Sequence, residues 1–324
     1  MSNCSEIYQL PIGSYFELET NSISEYHPKA LAVNTARNAL EYILLAKKVQ
    51  KLYLPYFTCD VLLEPLKKLQ LPYEFYAIDS NLEPVFDYSI LKEDEFLIYT
   101  NYFGLKDAYI NALVEKCKNL IIDNAQAFFA KPISGVSTIY SARKFFGVSD
   151  GAYLYCDNML DQHFERDCSV DRMTHLLIRK DQSVQEGYPH YRNNEALLAH
   201  QPIKLMSKLT QSILKSIDYD KIARIRIDNF NFLHKVLGSQ NKLNLSFLND
   251  QVPLVYPFWS EDLLLRKRLL ECEIYTATYW PNVKDWCSLD SLEYSLTEGV
   301  VNLPIDQRYG PKEMEIIIKS ISNV

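Results

Sequence analysis

Glycine is scarce in this chain, with only nine among 324 residues. No GxGxxG or GxxxxGKS/T segment follows a predicted strand, which argues against the loops that bind dinucleotides and nucleoside triphosphates. The seven cysteines are an odd number and include no CxxC pair, which favours reduced thiols over a disulfide framework. The six histidines show no HExxH or other ligand spacing, so we expect no metal site.

Basic charge and long apolar runs are also lacking. The formal net charge of -7 disfavours a general nucleic-acid binder, whose surface would be basic. No apolar run approaches the roughly 20 residues of a membrane helix, and the N-terminus lacks the basic and then apolar pattern of a signal peptide. We therefore expect a cytoplasmic protein that binds small molecules, without nucleic acid or membrane partners.

The first half of the chain alternates strand-like and helix-like segments, which predicts an α/β fold. The strand-like runs occupy residues 51–55, 73–79, 96–103, 119–123, 138–141 and 152–156. Helix-like segments between the first four allow parallel crossovers, whereas only ten residues separate 141 from 152. One strand of the last pair should therefore be antiparallel, which predicts a three-layer structure with a mixed, mostly parallel sheet.

The second half predicts a smaller α+β domain. A long helical region covers 203–238, and we expect it to bury a stripe made of Ile222, Ile225, Phe232 and Val236. Shorter segments follow, and a terminal helix has Pro311 in its first turn. We place a large domain at 1–220 and a small domain at 221–324.

Polar residues follow several predicted strands, at the edge where open α/β sheets bind ligands. Asp123 ends "NLIID", Ser141 and Lys144 follow "TIY", and either Asn34 or Thr35 caps a helix that precedes the first of these strands. An acid, a lysine and a helix N-terminus are the parts of a pyridoxal phosphate site. The lysine bonds to the cofactor aldehyde, the acid pairs with the ring nitrogen, and the helix N-terminus binds the phosphate.

Two segments carry a resemblance to a known family. "IIDNAQAFF" is similar to the "EDAAQA" segment of the DegT/DnrJ/EryC1/StrS sugar aminotransferases, and "YSARKFFGVSDGAYLY" to their "SFxxxKxxxxGDGG" segment. "NTARNAL", "LPYFTCD", "YTNYFGL" and "VVNLPID" resemble further segments of that family in the same order. The resemblance covers about residues 30–156 and 270–320.

The resemblance implies the pyridoxal-phosphate-dependent transferase fold of type I, in a homodimer. The implied enzyme is an aminotransferase that moves an amino group from an amino acid, usually L-glutamate, to a nucleotide-linked keto sugar. We expect it to serve amino-sugar and surface polysaccharide synthesis, such as that of lipopolysaccharide O-antigen. Its partners would be the nucleotide sugar and the amino donor.

Site residues follow from matching positions in the resembling segments. Lys144 falls on the cofactor lysine and Asp123 on the partner of the ring nitrogen, and both are the expected catalytic residues. The other implied cofactor contacts are Gln126 at the ring hydroxyl, Ser141, Thr35, Ala36 and Arg37 at the phosphate, Phe57 or Tyr56 stacking on the ring, and Asn194 or Asn193 reaching the neighbouring subunit's phosphate. The implied substrate contacts are Tyr102, Arg143 and Tyr279.

The chain departs from the family pattern at three positions. Arg37 stands where threonine is usual, Cys59 stands where the stacking aromatic is expected, and Ser141 is three residues before Lys144 rather than five. For Arg143, an ordinary ion pair and a contact with a substrate phosphate both stay open. For Tyr102 and Tyr279, packing stays open beside substrate binding.

Two other functions remain alternatives. One is a different pyridoxal phosphate enzyme, such as an amino-acid aminotransferase or lyase, which would share Asp123 and Lys144. The other is a non-catalytic sensor or partner protein that keeps the fold, motivated by Arg37 and Cys59. The presence of Lys144 argues against the second. We expect Lys144 to sit in an apolar setting between its strand and the pair Phe145 and Phe146, because bonding to the cofactor removes the cost of burying its charge.

Overall fold

An eight-stranded mixed sheet forms the centre of the molecule, which the computed structural model describes over residues 13–322. The strands within this range are β1 (Leu31–Val33), β2 (Lys51–Pro55), β3 (Tyr73–Ile78), β4 (Pro84–Val85), β5 (Glu95–Thr100), β6 (Leu120–Asn124), β7 (Ser137–Ser141), β8 (Ala152–Tyr155), β9 (Tyr256–Trp259) and β10 (Val300–Leu303). The helices are α1 (Ala36–Ala46), α2 (Leu63–Lys68), α3 (Asp107–Lys116), α4 (Thr174–Asp181), α5 (Val184–Leu198), α6 (Lys208–Lys215), α7 (Tyr219–Leu237), α8 (Leu265–Glu271), α9 (Val283–Trp286), α10 (Leu292–Gly299) and α11 (Pro311–Ser322).

The strand order explains how the sheet is mixed. The order is β1-β8-β7-β6-β5-β2-β3-β4, and neighbouring strands from β7 to β3 are parallel. β8 runs antiparallel to both β7 and β1, because the short connection after β7 returns the chain directly. The predicted mixed, mostly parallel sheet is confirmed. β1 and β4 were not predicted, since two or three residues are too few to show a strand period.

Apolar side chains on both faces of the sheet make the structure three-layered. Alternate residues point to opposite faces of a strand, so Leu52 and Leu54 belong to the core under α1 and α2, while Tyr53 belongs to the opposite core. α3 covers that second face with Ile110 and Leu113. Such continuous apolar runs are typical of parallel strands buried on both faces.

The C-terminal region, residues 219–322, adds helices and the β9–β10 pair, which is antiparallel. The long helical segment of the sequence divides into α6 and α7, and Asp218 caps α7 by accepting from the backbone N–H of Lys221 at 3.0 Å. Of the described helices, none is long and apolar enough to cross a membrane.

The predicted buried stripe of α7 is wrong. Val236 is 41% exposed, and the rest of the stripe is only half-buried. The helix instead buries a face that includes an arginine: Arg226, Phe230, Leu233 and Leu237. Because a charged residue lies in the middle of the buried face, hydrophobicity alone gives the wrong face.

Gly104 and Gly135 both have a left-handed backbone, but a side chain would meet close neighbours only at Gly104. Gly104 has φ of +76°, and a Cβ there would lie 3.0 Å from the Gln126 carbonyl oxygen and 3.1 Å from that of Val252. Gly135 has φ of +80° with nothing within 4 Å of such a Cβ.

We expect Gly135→Ala to lower the free energy of unfolding by about 1 kcal/mol. Gly104→Ala should cost about 2 kcal/mol or more, because two carbonyl groups must also move. Urea unfolding of both variants measures this difference, and equal losses would contradict it.

The buried His27 side chain should make the folded protein less stable in acid. It is 2% exposed; its Nε2 donates to the Phe128 carbonyl at 2.9 Å, and its Nδ1 lies 3.3 Å from the Tyr155 hydroxyl. Burial lowers the pKa of His27 from 6.5 to about 4. Because the pKa of His27 is lower in the folded state than in the unfolded state, its neutral form contributes to the free energy of unfolding. This contribution is complete above pH 6.5 and is lost as pH falls toward 4. It amounts to at most about 3 kcal/mol. In His27→Gln, the free energy of unfolding should fall less between pH 7 and pH 4 than in the wild type, and an identical pH profile would refute this assignment.

Candidate active site

The carboxyl ends of β6 and β7 bring the two main predicted residues to one edge of the sheet. The strands are parallel, and Asp123 pairs in register with Ile139. β7 ends at Ser141, and a single 3-10 turn, Ala142–Lys144, follows it directly. The parallel pairing therefore places Asp123 and Lys144 beyond the same ends of adjacent strands.

Asp123 is a buried carboxylate with an incomplete set of partners. It is 6% exposed, and its Oδ1 accepts from the backbone N–H of Ala125 at 2.8 Å. Burial raises the pKa of Asp123, and the positive charge of Lys144 acts in the opposite direction, as does the Ala125 hydrogen bond. A buried carboxylate of this kind gains from a cationic partner.

The expected apolar setting of Lys144 is wrong for the single chain. Lys144 is exposed, whereas Phe145 and Phe146 after it are 3% and 5% exposed. The residue before it, Arg143, is the one whose side chain is largely covered, at 17% exposure. The 3-10 turn explains the difference, because it turns consecutive side chains in different directions as the chain leaves the sheet.

Gln126 carries a buried amide nitrogen without a hydrogen-bond partner among the described residues. The side chain is fully buried, and its Oε1 accepts from the backbone N–H of Phe103 at 2.8 Å. An unpaired buried donor is costly. An acceptor brought next to this Nε2 atom would therefore satisfy the donor that the described residues leave unpaired.

The N-terminus of α1 lies beside the end of β7. Thr35 caps the helix, accepting from the backbone N–H of Asn38 at 3.2 Å. The N–H of Gly151 donates to Asn34 O at 2.6 Å, and the N–H of Ala142 donates to Gly151 O at 3.1 Å. These bonds bring the capping segment next to the residue after Ser141. No acidic side chain occupies the first turn of α1, and helix geometry leaves its first N–H groups without intrahelical partners.

The Arg37 side chain pairs with a carboxylate of α2. Its Nη1 donates to Glu64 Oε2 of α2 at 2.5 Å, and its side chain is 9% exposed. The Arg37 side chain thus forms an ion pair between α1 and α2, and its predicted place in the phosphate-binding segment stays a prediction. The backbone of Ala36 and Arg37 still belongs to the helix N-terminus.

Arg143 forms an ion pair with Glu195 of α5. Burial lowers the pKa of Arg143 to about 10, and the positive charges of Arg37 and Arg172 act in the same direction. The ion pair is one of the two alternatives from the sequence, and the contact with a substrate phosphate stays a prediction.

Phe57 and Tyr102 are interior residues. Both are fully buried, and the Tyr102 hydroxyl donates to the Phe57 carbonyl at 3.0 Å. The Phe57 ring packs edge to face on Trp280, with centroids 5.1 Å apart, while Tyr56 stacks on Phe75 at 4.9 Å. The structure therefore shows Tyr102 and Phe57 packed in the interior, and the substrate contact of Tyr102 stays a prediction.

Cys59 and Tyr279 both have raised pKa values, and the charge of Lys144 acts on the first of them. Cys59 is half-buried; burial raises its pKa, and the charge of Lys144 opposes that effect. Burial also raises the pKa of Tyr279, Tyr191 and Cys59 add to the rise, and Arg226 lowers it. The charge of Lys144 thus acts on Cys59, and Cys59 in turn acts on Tyr279.

The Asn194 side chain points into the interior of its own chain. It is 2% exposed, and its Nδ2 donates to the Ser149 carbonyl at 3.1 Å, while Asn193 is exposed. This internal bond is the one that Asn194 makes within its own chain, and its reach to a neighbouring subunit stays a prediction. Glu195 of α5 pairs with Arg143, and its i,i+4 spacing from Tyr191, which places both on one helix face, was the signal available in the sequence. Among residues 13–322, no cluster of His, Cys, Asp and Glu could hold a metal ion.

Comparison with known proteins supplies a structural likeness without a sequence match. No protein-family model and no curated protein matches the chain. Among solved structures, Spr1654 from Streptococcus pneumoniae, named as a sugar aminotransferase and solved in a PLP form, has a TM-score of 0.64 at 15% identity, covering 91% of this chain and 86% of that one. The sugar aminotransferase CalS13 from Micromonospora echinospora has a TM-score of 0.62 at 14% identity, covering 91% and 87%.

A third similar structure is a DegT DnrJ EryC1 StrS aminotransferase from Brucella abortus, with a TM-score of 0.61 at 14% identity, covering 91% of this chain and 85% of that one. These likenesses show that the chain has the fold of those aminotransferases. The predicted fold class is therefore confirmed over nine-tenths of the chain.

The Arg143–Glu195 pair predicts a stability coupling. Glu195→Gln removes the charge partner of a largely covered guanidinium, so we expect the free energy of unfolding to fall by about 1–2 kcal/mol. The double variant Arg143→Gln/Glu195→Gln should recover part of that loss, because neither partner then stays charged and alone. Urea unfolding of the two single variants and the double variant measures the coupling. Strictly additive losses would mean that the two side chains do not interact in solution.

Proposed function

We propose that this chain is a pyridoxal-phosphate-dependent aminotransferase of the DegT/DnrJ/EryC1/StrS family. In this proposal it transfers an amino group from an amino acid, L-glutamate as the expected donor, to a keto sugar carried on a nucleotide. One observation carries the proposal: Asp123 and the turn that carries Lys144 follow adjacent parallel strands, within a fold shared with sugar aminotransferases.

The residues around this edge fit pyridoxal phosphate. The unpaired Nε2 of Gln126 is a buried donor that suits the ring hydroxyl. The α1 N-terminus, capped by Thr35 and free of acidic side chains in its first turn, suits the phosphate, with Ser141 nearby. Asp123 suits the protonated ring nitrogen, because a cation there would stabilise its buried carboxylate.

The bound cofactor would supply an electron-accepting ring that stabilises negative charge on a substrate carbon after proton loss. Lys144 would hold the cofactor covalently, be displaced by the incoming amine, and then act as the general base and acid that moves the proton. Asp123 would keep the ring nitrogen protonated throughout. Cys59, on which the charge of Lys144 acts, and Tyr279 would contact the cofactor or substrate.

Several finer assignments belong to this proposal. We propose a cofactor domain at 1–220 and a small domain at 221–324, and a homodimer in the cytoplasm. Tyr15 and Phe16 support the dimer, because they are 92% and 94% exposed and large apolar side chains at such exposure favour a covering partner. The place in surface polysaccharide synthesis rests on the resemblance of the sequence segments alone.

The cofactor assignment is tested by binding and by covalent mapping. Purified protein mixed with pyridoxal phosphate should show the visible absorption of a lysine-bound cofactor. After borohydride reduction, peptide mass mapping should place the adduct on Lys144. Lys144→Ala should lose both the absorption and the adduct, because no amine remains at that position. Lys92→Ala is the matched control, since Lys92 pairs with Glu95 at the opposite end of β5. A wild-type protein without an adduct at Lys144 would overturn the proposal.

Substrate assays then separate the reaction from that of other pyridoxal phosphate enzymes. We expect glutamate to be converted to its keto acid only once per cofactor when no acceptor is present, and repeatedly when a nucleotide-linked keto sugar is added. Turnover with simple keto acids instead would favour an amino-acid aminotransferase. Cofactor binding without any amino transfer would favour a non-catalytic role.

A further inference from the structure

Arg226 is a buried arginine without a carboxylate partner among the described residues. It lies on α7, is 1% exposed, and takes part in none of the ion pairs of this part of the chain. A buried charge without a counterion is costly unless its hydrogen bonds are well satisfied. The contacts of Arg226 therefore merit a functional explanation beyond packing.

The Arg226 guanidinium contacts the turn that carries Lys144. Its Cζ lies 4.7 Å from the ring centroid of Phe145, the residue directly after Lys144. Its Nε donates to Gln307 Oε1 at 3.1 Å, and Gln307 Nε2 donates to the backbone carbonyl of Phe145 at 2.7 Å. Gln307 is thus fixed at one end by Arg226, and its other end holds the backbone of the lysine turn.

The same guanidinium also fixes the segment that supports Gln126. Arg226 Nη1 donates to the carbonyl of Leu254 at 3.0 Å, and the N–H of Leu254 donates to the Phe103 carbonyl at 2.8 Å. The N–H of Phe103 in turn donates to Gln126 Oε1 at 2.8 Å. A continuous chain of contacts therefore runs from the Lys144 turn through Arg226 to Gln126.

We propose that Gln307, held by Arg226, is a positioning residue that fixes the Lys144 turn relative to the cofactor. The inference rests on the proposed function, because it assigns Lys144 as the residue that bonds to the cofactor. The contacts themselves are independent of that assignment: the C-terminal region holds the lysine turn through the Gln307 amide and the Arg226 guanidinium. Correct placement of Lys144 then depends on α7 and the segment after β10 being packed against the sheet.

Gln307→Glu separates positioning from stability. A glutamate keeps an acceptor for Arg226 and adds an opposite charge, but, while ionised, it cannot donate to the Phe145 carbonyl. The midpoint of urea unfolding should therefore stay unchanged or rise, while the hold on the lysine turn is lost. Removing Arg226 itself would endanger folding, so the substitution is made at Gln307.

Asn229→Ala is the matched control. Asn229 lies on the same helix, and its Nδ2 donates to the carbonyls of Ile305 at 3.2 Å and Tyr309 at 3.0 Å. Its loss weakens the attachment of the same C-terminal segment without removing a bond to the lysine turn. We expect this variant to be less stable than the wild type, with unchanged placement of Lys144.

The measurement compares two ligands that differ in their ability to bond to lysine. Pyridoxal 5'-phosphate carries the aldehyde, whereas pyridoxine 5'-phosphate carries an alcohol and binds without a covalent bond. In Gln307→Glu, the affinity for pyridoxal phosphate should fall about fivefold, the effect of one hydrogen bond, while the affinity for pyridoxine phosphate stays unchanged. Asn229→Ala should keep the wild-type ratio of the two affinities. An equal loss for both ligands, or no loss for either, would overturn the inference.

A second readout distinguishes failure of the inference from failure of the proposed function. If the wild type binds neither ligand, the proposed function fails. The inference is then decided by the rate at which an amine-reactive probe labels Lys144 in the cofactor-free protein, measured by peptide mapping against the surface lysines. Faster labelling of Lys144 in Gln307→Glu than in the wild type and Asn229→Ala would support it. Equal rates in all three proteins would refute it.

Discussion

The parallel pairing of β6 with β7 is the constraint on which the candidate site depends. The register fixes Asp123 one strand away from the turn that begins at Ala142. The antiparallel return through β8 then places Gly151 against the capping segment of α1. One local arrangement of three strands thus brings an acid, a lysine and a helix N-terminus to the same edge. A slip of this register would move Asp123 to the opposite face of its strand, since side chains alternate.

Three arginines near this edge of the sheet have their positive charges stabilised by different kinds of partner. Arg37 and Arg143 each have a carboxylate, Glu64 and Glu195. Arg226 instead uses carbonyl oxygens and an amide. Arg37 therefore connects α1 to α2, and Arg143 connects the lysine turn to α5. In each pair the carboxylate balances the positive charge of the arginine. Lys144 forms no ion pair within residues 13–322, and its positive charge acts on the buried carboxylate of Asp123.

The strands and the acid–lysine edge could be predicted from the sequence, because they depend on local patterns. Runs such as "NLIID" combine β-branched residues with a polar end, and the ten residues between β7 and β8 are too few for a crossover helix. The two strands that were missed are very short, and the buried face of α7 was misread because Arg226 interrupts it. Gln307 lies 162 residues from Phe145, and no local pattern indicates that contact. The internal partners of Arg143 and Asn194 are hidden from the sequence for the same reason.

The exposure of Lys144 limits what a single chain can do. A lysine amine is more nucleophilic when it is neutral, and removal from water favours the neutral form. Phe145 and Phe146 are buried and hold the turn, whereas the amine of Lys144 stays exposed to solvent. In the proposed enzyme, additional shielding would come from the bound cofactor or from a second chain. That enzyme would therefore need both a fixed lysine turn, which the C-terminal region supplies, and a cover over the amine.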